Sequence, residues 1–311
     1  MKYNDLDIIS TGESGKNIYT EFTWNLIDIC NYKCTYCQAG YGHDSTRPVS
    51  KFFRDTNKRN IWKQVIKRLS VLQNIDFEVT LVGGEPTLHP DILDILTSLK
   101  SVDNCKEIDL ITNLSKQYDF FSNIADLNIC KLQLIPSIHF EYFNNNITDK
   151  IISLSNNTNI NIIPAVMLHD NMKFWNVMEK FLQELNQNNI KYSTTFIEDT
   201  VNYSANYTSE FFKRFDRYIN NQDMIDKFHI TTEDHTNHIV STKDIHEKQI
   251  KMFKGWKCNQ KSWLIDYDGN IKNSCTEELL NILGTNTKQQ ITCPKEICDC
   301  NAWWYYEKQK I

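Results

Sequence analysis

The sequence predicts an α/β protein in which a parallel β-sheet is followed by a small cysteine-rich domain. Two patterns in the 311-residue chain support this prediction. Six consecutive units each combine a β-rich run with a helical run, and five of the ten cysteines lie after residue 250. Repeated β-then-α units favour a parallel sheet with right-handed crossovers. The length fits one large domain or two, with a substantial buried core.

The β/α units follow one another from residue 20 to residue 219. The first strand is predicted at 20–29, and a polar connection containing Gly and Pro follows it to about residue 56. Apolar residues at i, i+3 and i+4 then predict an amphipathic helix at 61–72. The remaining strands are predicted at 77–82, 107–112, 132–139, 160–167 and 190–197, and the remaining helices at 91–99, 118–127, 148–155, 172–185 and 209–219.

Four segments are predicted along the chain. Residues 1–18 show no clear period and are a lead-in segment, residues 19–225 carry the β/α units, and the charged, interrupted stretch 226–255 is a connector. Residues 256–311 form the cysteine-rich domain. Within it, two β-rich runs flank an Asp-Gly pair, which predicts a hairpin with Cys258 and Cys275 at its feet.

Composition argues against several classes of function. The net charge is −5 and the 34 Lys and Arg residues are scattered, so no basic surface for nucleic acid is predicted. The chain shows neither a signal peptide nor an apolar run long enough to span a membrane, so a cytoplasmic protein is expected. Cysteines in a reducing compartment are more typical of metal ligands than of disulfides.

Three thiols lie close together after the first strand, at Cys30, Cys34 and Cys37. Soft thiolates select zinc, copper(I) or iron–sulfur clusters, and a structural zinc site usually has four ligands. Three thiolates on a four-iron cluster would leave one iron open. A zinc knuckle, or buried cysteines that cluster without a metal, are the alternatives.

The Cys-x-x-x-Cys-x-x-Cys spacing resembles the cluster loop of the radical S-adenosylmethionine (radical SAM) enzymes. The resemblance implies a 4Fe–4S cluster on Cys30, Cys34 and Cys37, whose open iron holds the amino and carboxylate groups of SAM. It also implies cleavage of SAM to a 5′-deoxyadenosyl radical that abstracts hydrogen from a substrate, with Tyr36 near the adenine. Six units match the family's partial (β/α)6 TIM-like barrel, in which reactive groups gather at the C-terminal ends of the strands.

The segment Gly83-Gly84-Glu85-Pro86 resembles the family's Gly-Gly-Glu-Pro motif at the end of the second strand. The resemblance implies that its backbone and carboxylate hold the methionine ammonium of SAM. Glycine would let the backbone approach the ligand, and a carboxylate complements a cation. The alternative is a plain strand-to-helix turn with Pro86 near the helix start.

Polar residues also end the later strands. Related enzymes imply SAM contacts for Asn113 and Ser137, although Asn113 and Ser115 are equally good helix N-caps. His139 would meet substrate or fill the barrel mouth. Residues 168–171 and 198–199 are candidate substrate contacts by position alone.

Two further cysteines, Cys105 and Cys130, lie just before strands three and four, at the opposite end of the predicted barrel. They are predicted to be buried free thiols.

The C-terminal cysteines resemble the SPASM or shorter Twitch extension of radical SAM enzymes, which carries auxiliary clusters. The five thiols are Cys258, Cys275, Cys293, Cys298 and Cys300. They fit the Twitch form with a second, auxiliary 4Fe–4S cluster, in which two of the last three join Cys258 and Cys275. A zinc ribbon is the alternative.

We therefore expect a radical SAM enzyme acting on a small-molecule or peptide substrate, with a flavodoxin- or ferredoxin-type reductant. Oxidation or cross-link formation, with the auxiliary cluster as electron acceptor, is the expected reaction. A peptide (RiPP) maturase, an activating enzyme, or a non-catalytic zinc- or cluster-binding regulator are alternatives. The protein holds substrate near the reactive group and excludes water, while the cofactors carry the chemistry.

Overall fold

The computed structural model describes residues 8–12, 19–40, 56–72, 75–200, 203–219, 228–240, 244, 250, 252–275, 289–296, 298 and 308–311. The strands are β1 (Ile8–Thr11), β2 (Thr20–Ile27), β3 (Phe77–Gly83), β4 (Cys105–Thr112), β5 (Leu132–Ile138), β6 (Asn161–Ile162), β7 (Ala165–Leu168), β8 (Ser193–Phe196), β9 (Phe228–Thr232), β10 (Asn237–Val240), β11 (Lys257–Gln260), β12 (Ser262–Ile265), β13 (Ile271–Asn273), β14 (Gln289–Thr292) and β15 (Lys308–Gln309). The helices are α1 (Thr56–Ser70), α2 (Ile92–Lys100), α3 (Tyr118–Asp126), α4 (Asn145–Asn157), α5 (Trp175–Gln187) and α6 (Ser209–Ile219).

A large sheet carries the predicted β/α units. Strands β2, β3, β4, β5, β7 and β8 are neighbours in chain order, and every neighbouring pair is parallel. The predicted partial barrel is therefore confirmed. The fifth predicted strand, 160–167, is divided into β6 and β7 around Pro164, because proline cannot donate a ladder hydrogen bond.

Alternation along the strands gives this sheet two different faces. Phe22, Val79 and Leu110 are fully buried in the main apolar core. Successive side chains point to opposite faces of a strand. Residues that point to the opposite face, such as Val82 and Ile111, line a cavity inside the partial barrel.

The helices cover the apolar face of the large sheet. In α5, the buried residues Trp175, Met178, Phe181, Leu182 and Leu185 form one stripe, and three- and four-residue spacing of this kind places side chains on one helix face. In the described ranges, no helix has the length and apolar character needed to cross a membrane.

A second, antiparallel sheet has the strand order β10-β9-β1-β15-β11-β14. The expected lead-in segment supplies β1, and the expected connector supplies β9 and β10. Both segments therefore contribute to the sheet of the cysteine-rich domain, which the sequence analysis did not foresee. Strand β1 pairs with β9 and β15, which lie far away in the sequence, so local patterns carry no sign of this pairing.

The predicted C-terminal hairpin is formed by β12 and β13. Strand β12 also pairs in parallel with β2, so the hairpin extends the large sheet. Gly269, in its turn, has φ +78°, and a Cβ there would lie 2.7 Å from the Ile61 side chain of α1. Glycine therefore allows both the turn and its packing against the helix.

The two isolated cysteines differ in environment. Cys105 begins β4 and is buried, as predicted. Cys130 is exposed, so its predicted burial is wrong. It lies in the turn between α3 and β5, where the chain runs over the surface.

Candidate active site

A cavity of about 470 Å³ opens at the C-terminal ends of the parallel strands. All ten residues that the sequence analysis assigned to the first cluster and to SAM line it: Cys30, Cys34, Tyr36, Cys37, Gly83, Gly84, Glu85, Pro86, Asn113 and Ser137. Carboxyl ends of parallel strands meet at one edge, which explains why segments distant in sequence converge here.

The three N-terminal thiols lie in a compact loop. The Tyr32 amide donates to Cys30 Sγ at 3.4 Å, and the Cys37 amide donates to the Cys34 carbonyl at 3.1 Å. Burial raises the pKa of the Cys34 thiol to about 12, and the Glu141 carboxylate and neighbouring thiols add to the increase. Thiols with raised pKa values bind metal with release of protons.

Two residues after β5 tether this loop. Glu141 accepts hydrogen bonds from the Thr35 amide, at 2.8 Å, and from the Thr35 hydroxyl. The Tyr142 hydroxyl accepts from the Lys33 amide at 2.8 Å, and its ring stacks on Tyr32 with centroids 4.2 Å apart. No sequence motif marks Glu141 or Tyr142 as part of this site.

Tyr36 is enclosed by aromatic rings. Its hydroxyl lies 3.0 Å from His139 Nδ1, and its ring contacts His169 and Tyr203 edge-on at 5.4 and 5.8 Å between centroids. Burial lowers the pKa of His139 to about 4, so this imidazole is neutral near pH 7. These contacts hold Tyr36 in one orientation at the cavity wall.

The two glycines of the Gly-Gly-Glu-Pro segment allow close backbone packing. The Gly84 and Glu85 amides donate to the carbonyls of Ile27 and Ile29, each at 2.8 Å. A Cβ on Gly83 would lie 2.2 Å from the Ile27 oxygen, and one on Gly84 would lie 2.1 Å from the Ile29 oxygen. Glycine is therefore required by the start of the cluster loop, in addition to any approach to a ligand.

The Glu85 carboxylate accepts four hydrogen bonds from the chain and is 1% exposed. Oε1 accepts from the Thr87 amide at 3.0 Å, from the Thr87 hydroxyl at 2.5 Å and from the Thr112 hydroxyl at 2.7 Å. Oε2 accepts from the Asn113 amide at 2.6 Å. Burial raises the pKa of Glu85, and these bonds oppose the increase. The side chain thus joins the ends of β3 and β4.

Asn113 connects this junction to the cluster loop. Its Nδ2 donates to Asn31 Oδ1 at 2.9 Å and lies 3.9 Å from Cys30 Sγ. Its Oδ1 accepts from the Ser115 amide at 3.0 Å. The N-cap of α3 is Gln117, so the alternative in which Asn113 or Ser115 caps this helix is wrong.

The candidate substrate contacts after the fifth and sixth predicted strands differ in whether they line the cavity. His169 is 2% exposed, and Asp170 accepts a hydrogen bond from the Tyr203 hydroxyl; neither lines the cavity. Glu198 does line it and accepts from Gln38 Nε2 at 3.2 Å. Among these candidates for substrate contact, Glu198 is the one at the cavity wall.

Four C-terminal thiols, those of Cys258, Cys275, Cys293 and Cys298, are buried, and Cys300 lies outside the described residues. Cys275, Cys293 and Cys298 share one apolar core. Burial raises the pKa of Cys258 to about 11; Lys308 opposes the increase, and the nearby Cys298 and Cys293 add to it. Cys258, Cys293 and Cys298 therefore lie within electrostatic reach of one another, and Cys275 packs in the same core as Cys293 and Cys298.

Buried amides position this second thiol cluster. Asn273 Nδ2 donates to Gln260 Oε1 at 2.9 Å, and Asn273 Oδ1 accepts from the Cys275 amide at 2.9 Å. Ser262 of β12 is in register with Glu21 near the start of β2. The C-terminal thiols thus lie near the opposite end of β2 from Cys30, and none of the four lines the cavity.

Thiolate sulfur is the donor that iron–sulfur clusters use, and it also binds zinc. Cys30, Cys34 and Cys37 line one cavity, which fits three thiolate ligands on one cluster. Cys275, Cys293 and Cys298 share one core and Cys258 lies nearby, so the donors of the second set fit either a cluster or a zinc ion.

Comparison with known proteins gives sequence and structural relatives. The molybdenum cofactor biosynthesis protein moc-5 of Caenorhabditis elegans is 28% identical over 126 residues, which are 40% of this chain and 20% of that protein. The GTP 3′,8-cyclase of Haemophilus ducreyi is 31% identical over 125 residues, which are 38% of this chain and 34% of that protein. The matched segments thus span about a third or less of these relatives.

The fold is also similar to the crystal structure of SuiB from Streptococcus suis bound to S-adenosylmethionine. The TM-score is 0.51 at 15% identity, over 88% of this chain and 63% of SuiB. At this identity the similarity concerns the fold alone.

The family model described as the radical SAM superfamily matches residues 24–197, from β2 to β8. The match covers more than half of the chain and includes the cluster loop and the cavity. Membership implies a 4Fe–4S cluster and SAM as cofactors. The chain therefore belongs to the radical SAM superfamily of enzymes.

Proposed function

We propose that this enzyme binds its 4Fe–4S cluster through Cys30, Cys34 and Cys37, binds SAM in the adjoining cavity, and removes a hydrogen atom from a small molecule or a short peptide segment. When bound, the cluster and SAM supply a 5′-deoxyadenosyl radical, which no side chain can provide. The observation that carries this proposal is the shared cavity, since the three thiols and the Gly-Gly-Glu-Pro segment line the same space.

The chain's own residues hold this site in place. Glu141 and Tyr142 fix the loop that carries the thiols. Glu85 fixes the Asn113 backbone, and the Asn113 amide then reaches the cluster loop. Orientation of this kind holds a reacting group in a productive position. We therefore propose that Glu85 supports SAM binding indirectly, because it holds the ends of β3 and β4 in place.

The cavity limits the size of the substrate. Its volume of about 470 Å³ lies in the range of small-molecule sites. Met167, Phe196 and Ile197 give it an apolar wall, and Glu198 adds a carboxylate. Beside SAM, the remaining space suits a small molecule or one side chain of a peptide, which also keeps the peptide-maturase and activating-enzyme alternatives open.

A second 4Fe–4S cluster is proposed on Cys258, Cys275 and two of Cys293, Cys298 and Cys300. Four thiolates complete one such cluster, so no iron would be left for substrate. The position of these thiols outside the cavity supports a role as electron acceptor in an oxidation or cross-linking reaction. A flavodoxin- or ferredoxin-type protein would supply the reducing electron in the cytoplasm.

The test compares the wild type with Cys34→Ala after anaerobic reconstitution with iron and sulfide. We expect the variant to release no 5′-deoxyadenosine from SAM. Cys130→Ala is the matched control, because Cys130 is exposed and belongs to neither thiol set. Release of 5′-deoxyadenosine by Cys34→Ala at the wild-type rate would refute the assignment.

Iron analysis tests the second cluster with the same preparations. We expect about eight irons per wild-type chain and about four in the Cys30/Cys34/Cys37 triple alanine variant. Stoichiometric zinc in the triple variant would identify the C-terminal thiols as a zinc ribbon instead. Mössbauer spectra distinguish a four-iron cluster from loosely bound iron.

A further inference from the structure

Lys308 is a lysine with no exposed surface in the cysteine-rich domain. Lysine is almost never fully buried unless its charge is paired, because removal of an ammonium from water is costly. A fully buried ammonium interacts strongly with the charged groups around it, because the local dielectric constant is low. The family match, residues 24–197, does not reach this position.

The sheet places Lys308 beside the second thiol cluster. Strand β15 lies between β1 and β11, and Lys308 is directly opposite Cys258 of β11. Directly opposed residues in a sheet have their Cβ atoms about 4.5–5.5 Å apart and point to the same face. The Lys308 Nζ also lies 5.0 Å from the centre of the Phe253 ring, which belongs to the same apolar core as Cys275 and Cys293.

The charge of Lys308 reaches two of the thiols. It favours the thiolate form of Cys258, and it does the same for Cys293. Lys295 also acts on Cys293, but its Nζ donates to the Ser274 carbonyl at 3.1 Å, in a half-buried position. Lys308 is therefore the fully buried cation of this thiol cluster among the described residues.

We propose that the Lys308 ammonium is the buried counter-charge of the C-terminal iron–sulfur cluster and raises its reduction potential. This inference rests on the second cluster proposed above. Four thiolates around an oxidised 4Fe–4S core leave about two net negative charges, and one-electron reduction adds another. A nearby fixed cation stabilises the reduced state more than the oxidised state, because it interacts with the larger charge.

The balance of the redox step is simple. One electron enters the cluster from a reductant, no ligand leaves, and no bond to the lysine forms or breaks. A cluster with a higher potential accepts an electron more readily, which is the property required of an acceptor in an oxidation.

The experiment uses the full chain with Cys30, Cys34 and Cys37 replaced by alanine, so that the C-terminal cluster is observed alone. Lys308→Met and Lys308→Gln remove the charge, and Lys308→Arg keeps it. Lys254→Met is the matched control, since Lys254 is an exposed lysine of the same domain that pairs with Glu296. The midpoint potential is measured by redox titration with electron paramagnetic resonance.

We expect the two neutral variants to keep about four irons and to show a more negative midpoint potential than the parent. The arginine variant and the Lys254 control should stay close to the parent value. An unchanged potential in the iron-loaded neutral variants would overturn the proposal. A parent chain that binds no iron would instead disprove the second cluster, and Lys308 with it.

Thermal unfolding with and without iron decides the case in which the neutral variants lose the cluster. A counter-charge to the cluster stabilises the iron-loaded chain, so neutral variants should lower the melting temperature of that form more than that of the iron-free form. An equal decrease in both forms, including failure of the iron-free variants to fold, would assign Lys308 a purely structural role and overturn the proposal.

Discussion

Replacement of Glu85 by alanine separates two roles for this carboxylate. The motif alone predicts a direct contact with the SAM ammonium, whereas the structure shows both oxygens bonded to chain donors. A direct contact would cost about 1.5–3 kcal/mol of SAM affinity and would leave the ligand-free chain unchanged. If the carboxylate instead joins β3 to β4, its loss in Glu85→Ala would make the ligand-free chain less stable.

The magnitude follows from the donors that lose their partner. Alanine leaves the backbone amides of Thr87 and Asn113 without their acceptor, while the two threonine hydroxyls can rotate towards other groups. A buried, unsatisfied donor costs about 1–3 kcal/mol, so the two amides together cost about 2–6 kcal/mol. Burial raises the pKa of Glu85, which shows that the buried carboxylate is itself costly. Removal of that carboxylate offsets part of this loss. We expect a net decrease of about 3 kcal/mol in the free energy of unfolding.

Urea denaturation of the iron-free chain measures this loss, and calorimetry of the reconstituted enzyme measures SAM affinity. Glu85→Gln keeps one acceptor oxygen and should lose about half as much stability. Glu198→Ala is the matched control, because it removes another carboxylate from the same cavity. Wild-type stability of Glu85→Ala, together with weakened SAM binding, would show that the carboxylate contacts the ligand and would refute the junction.

Two further predictions concern other carboxylates. Glu141→Ala removes the acceptor of the Thr35 amide, so a chelator should extract the N-terminal iron faster than from wild type while the C-terminal iron is retained; equal extraction from both sites would contradict the tether. Burial, with the neighbouring Glu21 and Glu107, raises the pKa of Glu78 to about 8. The folded chain then keeps a proton that the unfolded chain releases above about pH 4.5, so stability should fall as pH rises from about 4.5 to 8. Glu78→Gln should remove this decrease and be more stable at pH 9 by up to about 5 kcal/mol, as measured by denaturation at several pH values.

Local patterns predicted the β/α units well. The last helix was predicted at 209–219 and is found at Ser209–Ile219, because amphipathic spacing is a property of neighbouring residues. Strand β1 was missed, since its four residues pair with β9 and β15, more than two hundred positions away. The composition of such a short strand does not reveal its partners, so the place of β1 in the second sheet could not be predicted from the sequence. The hairpin of β9 and β10 is local, and it was missed because the stretch 226–255 is charged and interrupted.

The candidate site was predicted at the level of residues, and its atomic roles were not. Motifs identified Gly83, Gly84 and Glu85 as residues that reach the cavity. They did not indicate that the glycines pack on the backbone of Ile27 and Ile29, or that the carboxylate accepts four hydrogen bonds. These contacts depend on how the ends of separate strands meet, which the fold determines.

The register of β12 with β2 constrains what the second thiol cluster can do. Cys275 follows a hairpin that begins level with Glu21, whereas Cys30 follows the far end of the eight-residue strand β2. At about 3.3 Å per residue, this strand separates the two thiol sets by roughly 25 Å. The second cluster proposed at these thiols would therefore be too far away to bind a substrate held in the cavity beside Cys30. Its proposed part in the reaction would require electron transfer through the barrel, and the proposed effect of Lys308 on its potential bears directly on that step.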